Sequence, residues 1–157
     1  MRLACMGAVS RQKRPSAVGD IMTRDVISVD ENDDLAHLLE SMRVLRFRHL
    51  PVTNDARLVG MLTERDVLSL SASSLLPNRS DSDEFLQKRY RVRDVMTENV
   101  ISVNPNTSLR EAGRLMLERR IGCLPVVDES NTLVGILTST DFVELATQLV
   151  FEEIPGR

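Results

Sequence analysis

Tryptophan is absent, and aromatic residues make up only 3% of the 157-residue chain, one Tyr and four Phe. So few rings cannot supply the row of stacking platforms that binds single-stranded nucleic acid. Basic charge is short as well. Lys and Arg number 20 against 23 Asp and Glu, a formal net charge of −3, whereas a dedicated nucleic-acid binder is normally basic. Cysteine and histidine reduce to Cys5, Cys123, His37 and His49. These form no CxxC pair, no bridge framework and no zinc-ligand cluster. The thiols therefore read as reduced, and the expected compartment is the cytoplasm. No apolar run approaches the ~20 residues that span a bilayer. No apolar segment follows the basic Arg2, Arg11, Lys13 and Arg14, so no signal peptide is expected. A nucleophile–base–orienter set and a Walker-type glycine loop are also missing, and no enzyme is expected.

What is present is a repeat. Asp20-Ile21-Met22-Thr23 returns as Asp94-Val95-Met96-Thr97, and Val26-Ile27-Ser28-Val29 as Val100-Ile101-Ser102-Val103. At the same offset Leu35 meets Leu109, Met42 meets Met116, and Leu50-Pro51-Val52 meets Leu124-Pro125-Val126. The second copy then gains one residue. After that, Leu58-Val59-Gly60 meets Leu133-Val134-Gly135 and Asp66 meets Asp141. A hairpin loop tolerates such a slip. The organisation read from this is a basic arm over 1–17, a first copy over 18–71, a connector over 72–91, a second copy over 92–150 and a tail over 151–157. A unit of that size hides little apolar surface alone. Two copies packed about a pseudo-twofold axis solve this, and the clefts between them are natural ligand sites.

Each copy reads β-α-β-β-α, an α/β (α+β) unit. Val26–Val29 and Val100–Val103 are short β-rich runs. Asp30–Asp34 and Asn104–Ser108 are turn and cap material. The apolar residues Leu35, Leu38, Leu39, Met42 and Leu45, and then Leu109, Ala112, Leu115, Met116 and Ile121, recur at helical spacing. Pro51 and Pro125 end that helix. A hairpin follows, and a second helix starts near Thr63 or Thr138. In the connector, Glu84–Arg91 is expected to form a short helix behind Asp81 or Ser82. The recurring Met22, Met42, Met96 and Met116 read as core fillers.

The second helix opens on Gly60-Met61-Leu62-Thr63-Glu64-Arg65-Asp66 and Gly135-Ile136-Leu137-Thr138-Ser139-Thr140-Asp141. Thr-x-x-Asp before an apolar helix is a capping pattern, with the acid at the positive end of the helix dipole. The same corner suits a nucleotide. A helix start presents unpaired amides to phosphate, a carboxylate accepts from ribose hydroxyls, and threonine donates. The two readings are compatible.

Taken with the preceding Leu-Pro-Val and Asp-x-Met-Thr-x-x-Val-Ile-Ser-Val motifs, residues 18–148 resemble a tandem pair of CBS domains. Arg48-His49-Leu50-Pro51-Val52, Ile121-Gly122-Cys123-Leu124-Pro125 and the connector are most similar to the acetoin-utilization regulatory proteins. The resemblance implies a regulatory module that binds AMP, ADP or ATP between the copies, with magnesium accompanying ATP. S-adenosylmethionine and NAD are the less favoured ligands. One cleft would use Val26, Ile27, Phe47 and Arg48 around adenine, with Thr138, Thr140 and Asp141 on ribose and phosphate. The other would use Val100, Ile101, Ile121 and Gly122 around the base, with Thr63, Arg65 and Asp66 on the sugar. Arg48 and His49 lie where the family places basic groups towards phosphate. Arg65 departs from the pattern, which prefers Ser or Thr, but offers a bidentate phosphate donor. The Asp141 motif matches the pattern more fully. No output domain follows the second copy here, so the signal is expected to pass to an effector protein or across a homodimer, with no membrane or nucleic-acid partner. The rival reading is a ligand-free interaction scaffold in which Thr and Asp serve only as caps.

Overall fold

The computed structural model describes residues 14–35, 38, 42, 48–63, 65–66 and 90–152. The basic arm up to residue 13, Phe47, most of the connector and the end of the tail lie outside these. The first copy holds a three-stranded sheet. Strand β1 (Val29–Asp30) runs parallel to β2 (His49–Asn54), which is antiparallel to β3 (Arg57–Thr63). Leu35, Leu38 and Met42 are helical, as are Arg65 and Asp66. The second copy contains α1 (Leu109–Arg119), the antiparallel pair β4 (Cys123–Val127) and β5 (Leu133–Thr138), and α2 (Ser139–Glu152). The mixed α/β class is observed. The first copy follows the expected order through β1, the helical positions Leu35, Leu38 and Met42, β2, β3 and helical Arg65 and Asp66. In the second, a single bridge at Val103 stands in place of the first strand before α1, β4, β5 and α2.

Helix α1 shows how the sequence sets its limits. The Ser108 hydroxyl accepts the Glu111 amide at 3.2 Å, satisfying one orphan donor of the first turn. Leu109, Ala112 and Met116 are buried at the period of one helix face. Arg120 closes the helix in the left-handed region, φ 54°. Ile121 therefore falls beyond the helix.

Val26–Val29 and Val100–Val103 were expected as strands, and only their ends pair. β1 begins at Val29, and the second run forms a single parallel bridge, Val103 to Val126. The reason is that each lead-in starts on the opposite copy. Thr23 exchanges both backbone bonds with Ile136 of β5, at 3.0 and 2.9 Å. Thr97 does the same with Met61 of β3, at 2.9 and 3.0 Å. The chain then crosses to its own sheet, and the residues in transit join neither ladder. At the end of the connector the expected helix does not reach Tyr90 and Arg91. Arg91 bridges Asp34 instead, and the Leu35 amide donates to the Tyr90 carbonyl at 3.2 Å.

The cores follow this exchange. Val18 and Met22 pack with Val103, Leu109, Ala112, Met116, Leu124, Val126 and Leu137 of the second copy. Val92, with Met96 against it, packs with Val29, Leu35, Met42, Leu50, Val52 and Leu62 of the first. Val18 and Val92 are both wholly buried, each contributing about 1.5–3 kcal/mol. The close approach requires glycine on the receiving strand. A Cβ on Gly60 would lie 2.5 Å from Met96 Sδ, and one on Gly135 would lie 2.5 Å from Met22 Sδ. Met22 and Met96 are thus fillers of the opposite copy's core. The one-residue slip sits in the hairpin turn, between the pairs Thr53–Leu58 and Val127–Leu133. The two turns also join: the Leu58 amide donates to Asn131, and the Leu133 amide to Ala56, both at 3.0 Å.

Candidate functional site

Each hairpin ends by running straight into a helix, and that corner holds the Thr-x-x-Asp motif. In the first copy Asp66 Oδ2 accepts the Thr63 amide at 2.9 Å and the Thr63 hydroxyl at 2.7 Å. The Asp66 amide returns a bond to Thr63 Oγ1 at 3.3 Å. In the second, Asp141 Oδ2 accepts the Thr138 amide at 2.6 Å and hydroxyl at 2.9 Å. The reciprocal cap expected from the sequence is complete at the first corner, and at the second only its aspartate half is formed. It engages only Oδ2 of each carboxylate, and among the described residues Oδ1 of each accepts no hydrogen bond. Both aspartates are half-buried, and the amides at the start of α2 add partial positive charge beside Asp141.

The strand register decides what faces each corner. His49 pairs with Thr63, and Cys123 pairs with Thr138. His49 is half-buried, and its pKa lies below the ordinary 6.5. Burial is the main cause, the Arg48 charge adds to it, and the Asp66 carboxylate opposes it. Cys123 is pushed up to about 12, by burial first and then by the Asp141 carboxylate. The Ser139 amide donates to the Gly122 carbonyl at 3.0 Å. Arg48, His49, Arg65 and Asp66 thus gather at the corner of the first copy. Gly122, Cys123, Thr140 and Asp141 gather at that of the second. Cys123 was not among the residues singled out from sequence, although its repeat counterpart His49 was, and that equivalence was the available signal.

Among the described residues, no hydrogen bond joins Val26, Ile27 or Arg48 to Thr138 or Asp141. None joins Val100, Ile101, Ile121 or Gly122 to Thr63 or Asp66. The copies meet instead through the Thr23–Ile136 and Thr97–Met61 bridges. Ile27 and Ile101 occupy matching positions just beyond those bridges and remain 53% and 36% exposed. They are apolar surface that the core does not consume. No group of His, Cys, Asp and Glu suited to a metal occurs among the described residues, and no described helix is long and apolar enough to cross a membrane.

The family model of the CBS domain matches residues 18–73 and again 92–147. The chain belongs to the CBS-domain family. This CBS pair is 31% identical over 150 residues to the protein MJ1426 of Methanocaldococcus jannaschii, covering 81% of the chain and 89% of that protein. Other relatives are longer: the chain spans 46% of MJ1225 and 22% of an inosine-5'-monophosphate dehydrogenase from the same organism. In structure the pair is similar to a protein named for acetoin utilization, AcuB of Vibrio cholerae. The TM-score is 0.73 at 32% identity, over 88% of this chain and 98% of that one. It is also similar to CBSX2 of Arabidopsis thaliana, solved in complex with AMP, with TM-score 0.71 at 32% identity, over 85% and 98% of the two chains. The CBS pair of MJ0100, solved with 5'-methylthioadenosine and S-adenosylmethionine, gives 0.69 at 25% identity, over 85% and 97%.

Proposed function

We propose that this CBS pair is a regulatory sensor of adenosine nucleotides, AMP, ADP or ATP, held at the strand-to-helix corners between the copies. The observation that carries it is the geometry of Asp66 and Asp141. Each keeps one carboxylate oxygen outside its cap, beside a threonine and a helix start. That oxygen accepts the ribose hydroxyls, and the helix amides face phosphate. Ile27 and Ile101 supply apolar surface for the base. AMP in the similar CBSX2 supports this reading, and the sulfur-bearing adenosines of MJ0100 keep S-adenosylmethionine as the next ligand, ahead of NAD. Magnesium would enter only with ATP. The pair performs no turnover. It passes its state to an effector protein or across a homodimer in the cytoplasm. Exposed Leu117 on α1 and Val143 on α2, 81% and 61% accessible, support a helix-faced dimer.

The capping bonds favour a second reading, a scaffold without ligand. Melting temperatures with AMP, ADP, ATP, S-adenosylmethionine, NAD and GTP separate the two. A ligand at ~100 times its dissociation constant adds ~2.7 kcal/mol, roughly 5–10 °C for a chain of this size. The sensor reading expects a shift with adenine compounds and none with GTP. It expects the paired Asp66→Ala and Asp141→Ala substitutions to abolish the shift, while each lost cap costs ~1 kcal/mol. No shift with any compound at millimolar concentration leaves the scaffold.

A further inference from the structure

The two corners share a backbone plan, and the side chains around them differ in charge. Position by position, Arg48, His49 and Arg65 of the first copy become Gly122, Cys123 and Thr140 of the second. Strand register puts His49 and Cys123 in the same place, each opposite the motif threonine. His49 follows Arg48 in the chain and lies opposite Thr63, the residue bonded to Asp66. Arg65 stands exposed in the helical turn that carries Asp66. In the second copy the buried Cys123 is a neutral neighbour of Asp141, and exposed Thr140 takes the place of Arg65. The carboxylate–threonine cradle is common to both, so recognition of a sugar is common to both. Among the described residues, Arg65 stands in the turn beside Asp66, where uncharged Thr140 stands beside Asp141.

Resting on the adenosine reading above, we propose that the corners take ligands of different charge. The Asp66 corner is the phosphate-bearing nucleotide site, and the Asp141 corner accepts an adenosine compound without a phosphate chain. Guanidinium groups hold a phosphate through paired charge-assisted bonds. A thiol and a hydroxyl offer an anion no compensating charge, and they fit a neutral 5' substituent. The corner assigned to phosphate is thus not the one whose motif matches the family pattern more fully, Thr138-x-Thr140-Asp141.

Calorimetric titration of the whole chain with AMP and with adenosine tests it. The wild type should bind both. Arg65→Thr combined with His49→Gln should weaken the tighter AMP site by roughly tenfold or more, the size of a lost bond to a charged group. Adenosine affinity should move by less than about threefold. Since Thr140 is exposed, Thr140→Arg should fold normally and should tighten AMP at the second corner without tightening adenosine. An unchanged AMP-to-adenosine ratio in the first variant, with adenosine still bound, overturns the charge assignment and leaves the adenosine reading intact. So does a loss of AMP preference that follows substitution of Thr140 instead. Failure of the wild type to bind either compound overturns the adenosine reading, and this inference with it.

Discussion

At the scale of single residues, His49 and Cys123 occupy one place in the repeat and respond to pH in opposite senses. Burial lowers the His49 pKa below 6.5, so below that pH the unfolded chain binds more protons than the folded one. The stability tied to neutral His49 is present above its unfolded value and is lost as pH falls towards the folded pKa. Arg48 and Asp66 are the charges acting on it. The melting temperature should therefore fall more steeply between about pH 7 and 5 in the wild type than in His49→Gln. Cys123, raised to about 12, stays a thiol at every working pH, and the thiolate is the reactive form. Iodoacetamide at pH ~8 should leave it unmodified in the folded protein and label it in guanidinium, as read by peptide mapping. A third residue carries strain. Ala56 sits at φ 67° after Asp55 at φ 48°, a two-residue turn of the mirror type that suits glycine at its second position. Ala56→Gly should raise stability by ~1 kcal/mol in urea titration. The identities of these residues were readable, but their neighbours were not, because register and burial are properties of the paired strands.

At the scale of elements, the exchanged lead-ins are the feature that periodicity could not reveal. The α1 face was legible because helical spacing is local, and its N-cap sits where Ser108 predicts. The strand at Val26–Val29 was overextended because the first partner of this segment, Ile136, lies more than a hundred residues away. A Cβ at position 135 meets Met22 Sδ at 2.5 Å and the Thr23 carbonyl oxygen at 3.1 Å. Gly135→Ala should accordingly cost ~1–3 kcal/mol, as overpacking does. Met22→Ala should then cost less in the Gly135→Ala background than in the wild type, and a double-mutant cycle on denaturation curves should show this coupling. Additive losses would mean that the two residues do not meet.

At the scale of the whole molecule, each copy borrows its last core residues from the other. A fragment beginning at residue 90 would keep Leu109, Met116, Leu124 and Leu137 but would lack Val18 and Met22, both part of that core. It should show no cooperative melt alone, while the full chain unfolds in one transition by circular dichroism and calorimetry. Leu117 on α1 and Val143 on α2 are large apolar side chains left exposed, and the proposed helix-faced dimer predicts that they are covered in it. Leu117→Asp should shift sedimentation towards the monomer without lowering monomer stability by more than ~0.5 kcal/mol.

The amino-acid order by itself determined the repeat, the element order, the hairpin that absorbs the extra residue and the Thr-x-x-Asp caps. These depend on contacts between near neighbours, or on self-similarity that needs no coordinates. Tertiary structure alone decided that the lead-ins swap cores, that Gly60 and Gly135 seat Met96 and Met22, and that the basic residues gather at one corner. Those outcomes depend on which strand face meets which, and a strand's pairing partner is set by how distant segments bury their apolar sides together.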